Sequence, residues 1–196
     1  MPDTLNHAAQ RVLDCVSGAL SDALRPVCKV YQSLGTPVIF TCCECDDEGA
    51  NGELSIHFTR LFDADAQTLE EVLRTRPCRG GAIAAQYRLV LARCSPTIDE
   101  HGEIPDPQEI ADSSVLQMLD SELIWRALSC CTDLQIRIDD ISVDLGPMGG
   151  CSIIFADITV QVQIPADPVL TEVEPGIYRV SNAVIVEPEP GEYEIR

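Results

Sequence analysis

The sequence predicts an α/β (α+β) fold, a mixed or largely antiparallel sheet flanked by two main helices, followed by an extended C-terminal arm. Three observations predict it. Residues 4–24 and 106–129 repeat apolar side chains at helical spacing, and the segments between and after them alternate apolar with polar residues. Pro165, Asp167 and Pro168 then break the last alternation, and the composition turns to Pro and Glu. The chain therefore divides into a core domain over 1–165 and an acidic, Pro-rich arm with short β segments over 166–196.

Each element has a local reason. In the first helix Leu5, Ala9, Val12, Leu13, Val16, Leu20 and Leu24 share one face, with Asp3 or Thr4 as cap and Pro26 as stop. Residues 27–31 and 37–43 read as extended segments around the turn Ser33-Leu34-Gly35. A polar loop then ends in Asn51-Gly52, which favours positive φ and a hairpin-like reversal. Leu54, Ile56 and Phe58 alternate with Ser55, His57 and Thr59, as in a half-buried strand. Residues 65–75 are compatible with a short helix ended by Pro77 and Gly80-Gly81. Residues 82–94 form a strand long enough to be central, with Tyr87, Leu89 and Leu91 on one side and Arg88 and Arg93 on the other or at its end.

Asp106, Pro107 and Glu109 start the second main helix with a cap, a first-turn proline and an acid. Its apolar residues cover more than one stripe, which predicts burial against the sheet and a second surface, with Trp125 inside. Residues 135–145 and 151–164 alternate as an antiparallel hairpin, with a bulge at Asp139-Asp140 where the parity slips. In the arm, residues 176–180 and 183–186 are β-prone but too few for a core of their own, so docking onto a sheet edge or a neighbouring copy is expected.

Charge excludes one class of function. With 13 basic and 32 acidic residues the formal net charge is −19, whereas binding duplex phosphates needs a surplus of Lys and Arg. The hydrophobic fraction of 45% is that of a folding chain. No apolar run approaches a membrane span, and the first residues lack the basic-then-apolar pattern of a secretion signal, so a chain folded in a cytoplasm is expected, without a membrane partner. The basic residues Arg74, Arg76, Arg79, Arg88 and Arg93 cluster within twenty positions, as a candidate subunit-interface patch or an ordinary solvated surface.

Ten cysteines need an explanation at this chain length. Cys42, Cys43, Cys45 and Cys78 are a conceivable zinc set, although adjacent cysteines on a strand point to opposite faces. Disulfides are the competing reading: Cys42, Cys43 or Cys45 with Cys28 or Cys78, and Cys130 or Cys131 with Cys94 or Cys151. Buried reduced thiols are the third. His7, His57 and His101 read as surface residues rather than partners of a nucleophilic thiol. No HExxH, GxSxG or GxxxxGK[ST] pattern occurs, so no catalytic residue, metal ligand or cofactor is assigned from motifs. A thiol- or zinc-dependent enzyme remains the reading from a different class.

The order of motifs carries a resemblance. Cys78-Arg79-Gly80-Gly81, the strand ending Arg93-Cys94-Ser95-Pro96, the capped helix holding Asp120 and Trp125, Cys130-Cys131, and the turn Gly146-Pro147-Met148-Gly149-Gly150-Cys151 follow one another over residues 5–164. This arrangement is similar to the tail terminator, or neck, proteins of long-tailed phages infecting actinobacteria; the arm lies outside the likeness. The resemblance implies a structural virion protein without enzymatic activity or cofactor. Such a protein is assembled in the host cytoplasm and forms a hexameric ring at the head-tail junction. There it caps the tail tube, stops its polymerisation and joins tail to head. The implied partners are other copies of the chain, the major tail tube protein and the stopper or connector proteins, with DNA passing through the lumen without sequence-specific binding. A head-to-tail stopper is the neighbouring alternative. In such a ring Asp46, Asp47, Glu48, Asp99, Glu100 and Glu103 are candidates to face the DNA channel, where acids repel phosphates.

Overall fold

The computed structural model describes residues 4–34, 50–72, 82–96, 104–132, 134–148, 150–162, 170–174, 177–180 and 183–186. Two compact units are present, 1–163 and 164–196. In the first, the elements run α1 (Leu5–Asp22), β1 (Lys29–Leu34), β2 (Glu53–Ala64), β3 (Ala82–Cys94), α2 (Pro107–Cys130), β4 (Ile136–Met148) and β5 (Cys151–Val162). The five strands form one sheet in the order β1-β2-β3-β5-β4. β1 runs parallel to β2, and every other pairing is antiparallel, so the α+β class with a largely antiparallel, mixed sheet is observed.

β3 is central because both of its edges are taken, by β2 and by β5. Its alternation places Tyr87, Leu89 and Leu91 against both helices. In register beside them lie Phe58, Ile56 and Leu54 of β2 and Ile158, Ala156 and Ile154 of β5. α1 buries Ala8, Ala9, Val12, Leu13, Val16 and Leu20 on this layer, and α2 adds Ile124, Ala127 and Leu128. The Tyr87 hydroxyl donates to the Leu5 carbonyl at 2.8 Å, which ties the first turn of α1 to the sheet and satisfies a buried phenol whose pKa burial drives upward.

Local signals held at several boundaries. Asp106 accepts a hydrogen bond from the Gln108 amide at 2.7 Å, with Pro107 opening α2. β4 and β5 pair antiparallel, with a register shift between Ile138 and Asp140 where the sequence parity slips. The helix expected over 65–75 is replaced in its described part. Asp65 closes a turn by accepting from the Gln67 and Thr68 amides, both at 2.9 Å, and Leu69 turns into the left-handed region at φ 56. That conformation stops a helix after one turn and returns the chain to β2, where Val72 donates to the Asp63 carbonyl at 2.8 Å.

Gly52 has φ 86, as the Asn-Gly pair suggested, but its role is close packing against β3. A Cβ placed on it would lie 2.1 Å from the Ala92 carbonyl oxygen. Gly52→Ala is therefore expected to lose about 2–3 kcal/mol, combining left-handed strain with overpacking. Chemical denaturation reads this directly, and an unchanged midpoint would show that the backbone shifts freely there.

The second unit contains β6 (Leu170–Glu174), β7 (Ile177–Val180) and β8 (Ala183–Val186). They pair antiparallel in sequence order as a three-stranded meander. The expected β-prone runs thus find strand partners in one another.

Candidate functional site

The best-defined polar constellation is built from three distant parts of the chain. α1 ends in a reversal in which the Leu24 amide donates to the Ser21 carbonyl at 3.0 Å and the Arg25 amide to the Leu20 carbonyl at 2.8 Å. Leu24 takes the left-handed position of that motif, φ 58, where glycine is usual, and its side chain is exposed. The reversal delivers Arg25 to α2. There Arg25 Nε and Nη2 bond the two carboxylate oxygens of Asp120 at 2.6 and 2.7 Å, a bidentate pair. Arg93 Nε reaches the same carboxylate at 3.1 Å.

The expectation that Arg93 belongs to a surface basic patch is corrected here. It has the parity of Leu89 and Leu91, so it points under the helices and is buried. Its remaining donors go to backbone: Nη1 to the carbonyls of Pro26, at 3.0 Å, and Asn51, and Nη2 to that of Arg25 at 2.7 Å. Burial lowers the Arg93 pKa despite the Asp120 charge, whereas the Asp120 hydrogen bond raises that of Arg25. Both guanidinium groups remain charged at neutral pH. Beside them lies a cavity of about 210 Å³, lined among others by Arg25, Asn51, Arg93, Ser113, Gln117 and Ser152, with Leu24 and Leu116 also contributing.

The opposite sheet face carries a second polar strip. Glu53, Ser55 and His57 share one side of β2 and are buried, which corrects the surface assignment of His57; His7 is exposed as expected, and His101 lies outside the described residues. Ser55 Oγ lies 2.8 Å from His57 Nε2. Burial, then the nearby Arg88 charge, pushes the His57 imidazole below its usual value, which favours the neutral ring. That geometry resembles a nucleophile and its base, but His57 Nδ1 is buried without a hydrogen-bond partner to orient the ring. Both side chains are buried. Arg88 is exposed on this face and held bidentate by Asp157, both bonds 2.8 Å. The expected basic patch thus separates onto two faces at Arg88 and Arg93; Arg74, Arg76 and Arg79 lie outside the described residues.

Among the cysteines, the structure joins Cys15 to Cys131. This corrects the expected pairing of Cys131 with Cys94 or Cys151, and it brings in Cys15, which the sequence reading left out. The signal was present, since Cys15 follows Val12 by three residues on the inward side of α1. Cys130, also offered for pairing, is a free, exposed thiol, because the end of α2 directs it away from its neighbour's partner. Cys28, Cys94 and Cys151 are disulfide-bonded. The conceivable zinc set Cys42, Cys43, Cys45 and Cys78 lies outside the described residues, among which no group of three or more His, Cys, Asp or Glu side chains is placed to hold a metal. The candidate channel acids Asp46, Asp47, Glu48, Asp99, Glu100 and Glu103 lie outside them as well.

α2 supplies the other notable surface. Its buried stripe is Gln117, Asp120, Ile124, Ala127 and Leu128. At about 100° per residue, Ala111, Val115, Met118 and Trp125 fall on the opposite side. Val115 is 59% exposed, Met118 60% and Trp125 56%, so the expected burial of Trp125 is corrected. Two polar residues gain tertiary partners or packing on the inner side, and the apolar stripe is left outward. Glu122 and Arg126 interrupt it as an ion pair of 3.6 Å.

Compared with known proteins, the chain matches no protein-family model and no characterised sequence.

Proposed function

We propose that this chain is a structural virion protein, a tail terminator whose copies close into a ring, of six in the resemblance, at the head-tail junction of a long-tailed phage. The ring caps the tail tube, stops its growth and lets DNA pass. The observation that supports the reading best is the outward apolar stripe of α2. Met and aromatic side chains are enriched at interfaces, and covering the exposed part of each on assembly contributes about 1–2 kcal/mol. The motif residues also have structural work in this reading: Arg93 and Asp120 fasten β3 to α2, which fixes the direction in which the stripe is presented. A heterologous interface that closes as a ring uses two different surfaces of each copy and stops at a set number. The net charge of −19 suits a protein that surrounds DNA without holding it.

Mass measurement and negative-stain imaging of the purified chain test the proposal. The native chain is expected as a closed ring. The pair Met118→Glu and Trp125→Glu is expected to yield monomers with an unchanged circular dichroism spectrum, because charge at an exposed site leaves the core intact. A strictly monomeric native chain that is absent from the neck of the particle would overturn it.

A further inference from the structure

We propose that the cavity between the C-terminal end of α1 and the N-terminal half of α2 binds a small oxyanion, a carboxylate or a phosphate. The site belongs to the single chain and is independent of ring formation. Its lining among the described residues contains two arginines and no acid, in a chain with a formal charge of −19. Among the described residues Asp120, fully buried behind them, balances one of the two positive charges and leaves one over. The donors divide unequally. Arg93 is occupied by Asp120 and three backbone carbonyls. Arg25 spends Nε and Nη2 on Asp120, and its Nη1 has no hydrogen bond to a side chain or carbonyl among the described residues.

A second observation points into the same space. Gln117 lines the cavity, is 8% exposed, and its Oε1 is buried without a hydrogen-bond partner, while Nε2 lies 3.4 Å from Ser113 Oγ. A carboxamide seated beside a hydroxyl can be turned over. With Oε1 accepting from the Ser113 hydroxyl, Nε2 becomes an unpartnered donor beside the cavity. Two guanidinium groups sharing one carboxylate, a buried amide donor beside them and a space of about 210 Å³ fit an oxyanion with a few waters. A neutral ligand would leave the extra charge unanswered.

Side-chain Arg Nε–Hε resonances followed during titration test this directly. Sodium phosphate and sodium acetate are compared with sodium chloride at equal ionic strength. A saturable shift of Arg25 with at least one oxyanion and none with chloride is expected, and the more effective of the two identifies the ligand geometry. Gln117→Leu fills the orphaned polar position with an apolar group and should weaken binding about tenfold or more while the fold is retained. Arg25→Lys, which keeps the charge but loses the fork, should weaken it as well. No saturable shift with either oxyanion, or an unchanged affinity in Gln117→Leu, overturns the proposal.

Discussion

Replacing Asp120 with alanine is expected to remove about 3–5 kcal/mol of stability, the cost of breaking a buried ion pair from one side. Asp120 is fully buried and is the carboxylate shared by Arg25 and Arg93. Without it, two guanidinium groups would face each other beneath α2, and Arg93 could not escape, because three backbone carbonyls hold it. The loss is a large share of a domain stability that is ordinarily about 5–15 kcal/mol. Asp120→Asn keeps the volume and some hydrogen bonding, so it should fall between alanine and the native chain. A paired change, Asp120→Leu with Arg93→Met, should recover part of the loss, because well-packed apolar residues often replace a buried ion pair at little cost. Urea denaturation of the four proteins decides the matter. Equal midpoints for the native chain and Asp120→Ala would mean that water reaches the cluster and screens it.

The same cluster shows what the sequence made legible. Strand periodicity is a local property, so β3, the β4–β5 hairpin and even the slip at Asp139-Asp140 could be read without tertiary knowledge. Capping chemistry placed the start of α2 equally well. The inward side of α2 was another matter. Apolar residues surround that helix, and the side chosen by the fold carries Gln117 and Asp120, whose burial depends in part on Arg25 and Arg93 arriving from elsewhere. Counting apolar residues therefore put Trp125 inside, while the charged partners that decide the question lie 27 and 95 residues away from Asp120. The parity of Arg93 with Leu89 and Leu91 was available evidence, outweighed by the expectation that arginine seeks water. Of the candidate sites, the charged cavity thus used residues visible in the motifs, but their meeting required the fold.

Removing the Cys15–Cys131 bridge is the other change expected to have a large effect. It fastens the middle of α1 to the residue that follows α2, across a sequence separation of 116. In the chain-entropy view, closing a loop of that length disfavours the unfolded state by about 5 kcal/mol. The loop encloses β1, β2, β3 and α2, so losing the bridge frees most of the helix-covered layer in the unfolded chain. The native contacts beside it are modest: Arg11 Nη2 donates to the Thr132 carbonyl at 2.8 Å on the exposed surface. The double variant Cys15→Ser with Cys131→Ser is therefore expected to lose about 3–5 kcal/mol. It is a cleaner measurement than adding a reductant, which would also open the bonds at Cys28, Cys94 and Cys151. It also avoids the single variant Cys15→Ser, whose Cys131 thiol would sit next to the free, exposed Cys130. The readout is the denaturation midpoint under non-reducing conditions, with thiol counting on the denatured native chain to confirm that the bridge is formed. A double variant as stable as the native chain would mean that the bridge does not restrict the unfolded chain to this extent.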